Sequence, residues 1–195
     1  MYPKKFQNMI DSYQKLPGVG KKTAERYAFK TLDWDEETLD QFIHSLTDLK
    51  KGITYCHICG NLSEEDICDI CKNENRNHNC ICVVQNPKNI DSIEAMQEFN
   101  GVYHVLNGTI NVSKGVLPEQ LNIQSLINRI NEDTEEVILA LDPTADGETT
   151  SMYISKLLNN KCKVTKLANG IPLGSHLDYT DPLTLLKAFQ KRSNN

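Results

Sequence analysis

Apolar positions in the first fifty residues recur at helical spacing. Phe6, Ile10 and Tyr13 fall on one face of a segment from 3 to 15, and Ala24, Tyr27, Ala28 and Phe29 mark a second helix after Gly20. A third helix is expected from about Asp35, which can cap a first turn rich in Glu, to Lys51. Leu39, Phe42, Ile43, Leu46 and Leu49 form its apolar stripe, and Gly52 stops it. From Ile81 the pattern changes. Strand-like "ICVVQ", "YHVL", "EEVILALD" and "KVTKLA" alternate with helix-like "IDSIEAMQEF", "IQSLINRI", "TTSMYISKLL" and a last "PLTLLKAFQKR". Such alternation predicts an α/β domain, a mainly parallel sheet covered on both faces. Residues 53 to 79, between the two patterns, are rich in Cys and Asn and hold too few large apolar side chains to build a core.

A chain of 195 residues accommodates one main core with small appendages. Its net charge of −5 gives no general reason to coat nucleic acid or an anionic membrane. The charge is segregated, however: residues 1 to 30 hold seven Lys or Arg against two acids, a local +5. Any polyanion site must therefore be local. No stretch approaches the roughly 18 apolar residues of a membrane span, and the opening residues lack the apolar centre of a signal peptide, so a cytoplasmic protein is expected. In that reducing compartment cysteines serve as metal ligands or small buried hydrophobes more often than as disulfides.

The basic segment is built around "LPGVGKKTAER". Pro17 fixes φ and removes an N–H, while Gly18 and Gly20 allow positive φ and close backbone approach. The amides that follow open a helix whose positive dipole end attracts an anion, and Lys21, Lys22 and Arg26 occupy its first two turns. Cations there oppose the dipole, so helix stability does not explain them. The plain alternative is a connection between two helices with a solvated Lys face. The segregated charge favours a phosphate site, one that grips backbone without reading bases. The arrangement resembles the helix-hairpin-helix element of DNA repair proteins.

"CHICGNLSEEDICDIC" sets Cys56 and Cys59 two residues apart and Cys68 and Cys71 likewise. Two such knuckles place four thiolates around a tetrahedral Zn2+, and Gly60 suits the turn after the first pair. Disulfides are disfavoured by compartment, and a redox dithiol needs a single CxxC near a βαβ unit. Four protein ligands leave no position for water, so the zinc should be structural. His57 and His78 are read as solvated, and Cys80, Cys82 and Cys162 as small hydrophobes.

After "VILALD", the acids Asp142, Asp146 and Glu148 gather at the carboxyl end of a central strand, where open α/β sheets place ligands. They are candidates for holding Mg2+ or meeting a partner. They also suit an ordinary turn and helix start. Metal-dependent phosphoryl transfer needs a proton-moving group at the end of the first strand, where the chain has only the amides Gln85, Asn86 and Asn89.

In order, "LPGVGKKTAERYAF", the four cysteines, "ICVVQ", "YHVLNG", "PEQLNI", "VILALDPTADGETTSMYI" and "GIPLGSHLDYTDPLTLLKAF" resemble the bacterial recombination mediator family RecR over almost the whole chain. The resemblance implies an N-terminal helix-hairpin-helix domain (1–53), a four-cysteine zinc finger (54–79), a Toprim-like α/β domain (80–168) and a C-terminal assembly segment (169–195). It implies DNA-lining positions at Lys22 and Arg26, with Lys21 beside them, and zinc ligands at Cys56, Cys59, Cys68 and Cys71. It also implies a dimer or ring-like tetramer around DNA that acts with RecO, and in some organisms RecF, to help load RecA on gapped DNA, without catalysis. The rival is a Toprim-type Mg-dependent enzyme that cleaves or rejoins nucleic acid, and Gln85 is the residue that discriminates. Two positions that some family members use to meet RecO are Gln85 and Asn89 here, and late departures from the family pattern include Lys166, Asn169 and His176.

Overall fold

A computed structural model describes residues 2–168, 170–190 and 192. Asn169 lies outside them. The chain divides into two compact units, 1–53 and 54–195.

The first unit is helical: α1 (Lys4–Tyr13), α2 (Lys21–Leu32) and α3 (Glu36–Gly52). Small residues on α2 let α1 approach, so Ile10 is buried against Ala24 and Ala28, with Phe6, Met9, Tyr13 and Val19 packed around them. Aromatic edges extend this contact outward. The Phe6 and Phe29 ring centroids lie 4.7 Å apart, and those of Tyr13 and Tyr27 5.6 Å apart. The Asp35 carboxylate caps α3 by accepting from the Thr38 amide at 2.8 Å. The helical period of α3 is as the sequence predicts, yet no residue of this helix is buried, and Leu46 and Leu49 are 53% and 63% exposed.

In the second unit, β1 (Thr54–Tyr55) and β2 (Leu62–Ser63) form an antiparallel hairpin, and α4 (Asp69–Lys72) follows. The remainder is an α/β layer structure: β3 (Asn77–Val84), α5 (Pro87–Glu94), β4 (Gly101–Val105), α6 (Ile123–Arg129), β5 (Glu136–Ala140), α7 (Ala145–Leu157), β6 (Lys163–Lys166) and α8 (Pro182–Gln190). The four strands are parallel in the order β4-β3-β5-β6. Strand alternation sorts the core. Ile81 and Val83 of β3 face Leu126, Ile154 and Leu158 on one side, while Cys82 and Val84 face Ile90 and Val105 on the other. Burial pushes the Cys82 thiol up to about 12, as befits a small hydrophobe.

Two helix boundaries differ from the sequence reading. α5 begins at Pro87 because the Asn89 side chain accepts from the Asn86 amide at 2.8 Å and Pro87 tolerates the first helical position. It ends at Glu94, before Gln97 adopts a positive φ of 57°. α7 starts at Ala145, since the Thr144 hydroxyl accepts from the Gly147 amide at 3.1 Å. Asp146 and Glu148 thus stand on the first turn of a helix and not on a loop. Gly147 is fixed by close approach: a Cβ there would lie 2.0 Å from the Asp142 carbonyl oxygen.

Candidate nucleic-acid interface and metal centre

Between α1 and α2 the chain turns through Gly18, at φ +79°, and reaches Gly20, the residue that precedes α2. A Cβ at Gly18 or Gly20 would meet nothing within 4 Å, so packing does not demand these glycines. Gly18 is required by its left-handed backbone, and both leave the hairpin open to an incoming group. Gly20 has no side chain with which to cap α2, and the helix carries no acid in its first turn. Its leading N–H groups therefore face outward with the positive end of the dipole. Lys21, Lys22 and Arg26 are all exposed on the same two turns, and among the described residues none of them enters an ion pair. The Arg26 guanidinium rests 5.8 Å from the Tyr27 ring centroid, which holds it without neutralising it.

The finger brings Cys56, Cys59, Cys68 and Cys71 together, all buried, with their sulfurs within 4.8 Å of one another. The Cys59 and Cys68 sulfurs are 3.6 Å apart. Tetrahedral bonds of about 2.3 Å separate neighbouring sulfurs by about 3.8 Å, so the cluster fits Zn2+. Among the described residues it is the one group of His, Cys, Asp and Glu placed to hold a metal. His57 instead faces the Asp66 carboxylate at 2.9 Å, and His78 lies 3.0 Å from the Asn73 carbonyl. Without a cation four crowded thiols cannot all ionise: the hydrogen bond to Cys68 is the first cause holding the Cys59 thiol up, and that same bond lowers Cys68. A bound divalent cation supplies the missing charge and displaces the protons.

β3 and β5 are neighbours although β4 intervenes in the chain, so the strand order reverses between them. Their carboxyl ends carry Gln85 and Asp142, at the place where doubly wound sheets bind ligands. Leu141 is buried at the strand end, whereas Asp142, Pro143 and Thr144 after it are exposed. Asp146 accepts from the Asn111 side-chain amide at 2.6 Å. Glu148 pairs with Lys166, and Lys187 of α8 stands 3.7 Å from its other oxygen. Gln85 turns a buried, unpartnered side-chain oxygen inward.

Sequence reasoning missed a polar cluster that ties the finger to the sheet. Asn122, just before α6, donates from its side chain to the Val105 carbonyl at 3.1 Å and accepts at its own carbonyl from His104 at 2.7 Å. Arg76 forms a bidentate pair with Glu94, to which Tyr103 also donates at 2.5 Å. No local motif announces these residues, because each partner lies far away in the chain.

Fold and centre together define a Toprim-domain protein that carries a helix-hairpin-helix and a four-cysteine zinc finger. The corresponding family models match in chain order: RecR, helix-hairpin-helix over residues 6–50; the RecR four-cysteine zinc finger domain over 53–73; Toprim domain over 79–168; and RecR, C-terminal over 170–193. The chain is 48% identical over 195 residues to the recombination protein RecR of Lactobacillus acidophilus, covering 98% of each. It is 46% identical over 194 residues to the recombination protein RecR of Staphylococcus aureus strain Newman, again covering 98% of each. This chain belongs to the RecR family. Its four-cysteine centre is a structural zinc site. Among the described residues no helix is long and apolar enough to cross a membrane.

Proposed function

We propose that this chain is a non-enzymatic recombination mediator that grips DNA phosphates through the hairpin at Gly18, Gly20, Lys21, Lys22 and Arg26. The observation that carries this reading is the open, uncapped start of α2, flanked by three exposed cations that no acid among the described residues neutralises. The grip offers amides and point charges but no array for base edges, so it acts on backbone irrespective of sequence.

The working form is a homo-oligomer, a dimer or ring-like tetramer. Two features support assembly. The α3 stripe is exposed, and an apolar cavity of about 530 Å³ lined by Phe6, Met9, Phe29, Leu32 and Leu39 opens in the same unit. The C-terminal segment likewise exposes Leu173, Leu177, Tyr179, Leu183 and Phe189. A ring multiplies a weak local grip by the number of subunits, which gives avidity without a strongly basic protein. RecO, and RecF where present, are the partners we assign, with RecA loading on gapped DNA in the cytoplasm as the outcome. The turn at Asp142, Asp146 and Glu148 is assigned to partner contact and not to Mg2+, since Asp146 and Glu148 are engaged with Asn111 and Lys166 and the strand-end position is an amide.

The test is salt-dependent binding to single-stranded DNA. Neutralising Lys22 and Arg26 together should weaken binding equally across sequences and make the log–log salt slope shallower by about 1.4 for each engaged hairpin, or about 0.7 per lost phosphate contact. An unchanged slope would remove the hairpin from the interface. Incubation of supercoiled plasmid with the protein and Mg2+ should leave linking number and strand integrity unaltered. Nicking or relaxation that disappears in Asp142→Asn would instead establish the enzyme reading.

A further inference from the structure

β4 lies at the edge of the sheet, yet all five of its residues are buried. An edge strand ordinarily presents a row of unpaired N–H and C=O groups. At Tyr103 and Val105 that row is met by three groups from elsewhere. The Arg129 guanidinium donates to the Tyr103 carbonyl at 2.6 Å. The Val105 amide donates to the Cys59 carbonyl at 2.7 Å, and the Asn122 side chain donates to the Val105 carbonyl at 3.1 Å. One of the three therefore comes from a zinc-ligating residue.

The knuckle is seated on this edge by shape as well. Gly60 turns at φ +73°, and a Cβ on it would lie 2.7 Å from the Asn122 side-chain nitrogen and 3.0 Å from the Val105 carbonyl oxygen. Asn122 thus fills the space between the knuckle turn and the end of β4. Its amide is oriented at the other end, where the Ser125 hydroxyl donates to its side-chain oxygen. Ile70, between Cys68 and Cys71, packs against the cysteine cluster and against the apolar cores on both faces of the sheet.

We infer that the zinc centre and the open edge of the Toprim sheet form one cooperative unit, in which Asn122 is a positioning residue for the knuckle bearing Cys56 and Cys59. Zinc holds Cys59 where its carbonyl can receive the Val105 amide. Asn122 holds the knuckle where its sulfurs can ligate. Because the two effects are linked, whatever zinc adds to the closure of the edge, the closed edge returns as zinc affinity.

The experiment follows zinc transfer from the full-length, zinc-loaded protein to a chromogenic chelator. Asn122→Ala should release zinc about tenfold faster, the scale seen when a partner outside the ligand shell is lost. Asn122→Asp, equal in size but without the donor, should be as fast as Ala. Gln124→Ala, which removes an exposed amide that donates to Asn128 on its own helix, should keep the parental rate. A parental rate in Asn122→Ala would overturn the inference. A packing role is separated by urea midpoints: Asn122→Ala should lower the midpoint of zinc-loaded protein more than that of zinc-stripped protein, and equal losses would overturn the coupling. Should Asn122→Ala not fold, hydrogen exchange of the parent decides. Chelation should strip protection from the Val105 amide while Val83, on the central strand, keeps it; retained protection at Val105 would overturn the coupling.

Discussion

Replacing Cys59 by serine is expected to abolish zinc binding and to loosen much more than the finger. Cys56, Cys59, Cys68 and Cys71 are themselves the apolar centre of residues 54 to 72, with only Ile58, Ile67 and Ile70 packed against them. Once zinc is gone, the finger has no apolar centre of its own, and its contacts with the sheet through Ile70 and the Cys59 carbonyl are left to hold the two knuckles. Structural zinc sites supply folding energy outright, on the order of 10 kcal/mol in isolated fingers. The loss here should be smaller, about 3–5 kcal/mol, since the sheet still folds around Val83, Val102 and Leu139. Elemental analysis should find zinc reduced from one per chain to background. Urea unfolding of the 54–195 unit should show the lower midpoint, while the helical unit at 1–53 keeps its transition. A variant that retains full zinc and the parental midpoint would show that the cluster is not the site.

The second large effect concerns acid. His104 is wholly buried on β4, and burial, aided by the Arg129 charge, lowers its pKa to about 4 against a contrary push from its hydrogen bond to Asn122. Nε2 donates to the Asn122 carbonyl, and Nδ1 has no partner, so the ring is held as the neutral tautomer. In the unfolded chain the same ring titrates near 6.5. Below that pH the unfolded state binds a proton that the native state refuses. Stability therefore falls as pH drops through about 6.5 and stops falling near 4, by about 2 kcal/mol at pH 5 and about 3 kcal/mol in all. His104→Gln, which can still donate to Asn122, should lose that much less between pH 7.5 and 5.0 in urea unfolding with zinc saturating. Any protonation of the cysteines acts on both proteins and cancels in the comparison. Parallel curves for the two would assign the acid sensitivity elsewhere.

What the sequence disclosed was local. The glycine hairpin, the two CxxC knuckles and the change from helical to alternating period each lie within a short window, and the structure places all three where the pattern indicates. Residues whose roles depend on distant neighbours were silent. Gly147 reads as half of an Asp-Gly turn, yet the Asp142 carbonyl excludes a side chain there. Asn86 and Asn89 read as the absence of a catalytic acid, whereas Asn89 caps the start of α5. Asn122 and Arg129 belong to no motif, because their partners Val105 and Tyr103 are reached only when the sheet has formed. The α3 stripe was legible as a helix face, but periodicity cannot say whether such a face is covered by its own chain.

That stripe has a consequence for how the protein behaves when dilute. The buried centre of the helical unit is Ile10, Ala24 and Ala28, two of them the smallest apolar side chains available. So little burial leaves the unit near the margin of stability. Covering Phe42, Ile43 and Leu46 on α3 by another surface would then firm up the hairpin as well as join the chains. On the proposed reading of the hairpin as a phosphate grip, mass action would decide how many hairpins are shaped to receive a phosphate, and a solitary chain would be a poor holder of DNA even with every lysine in place.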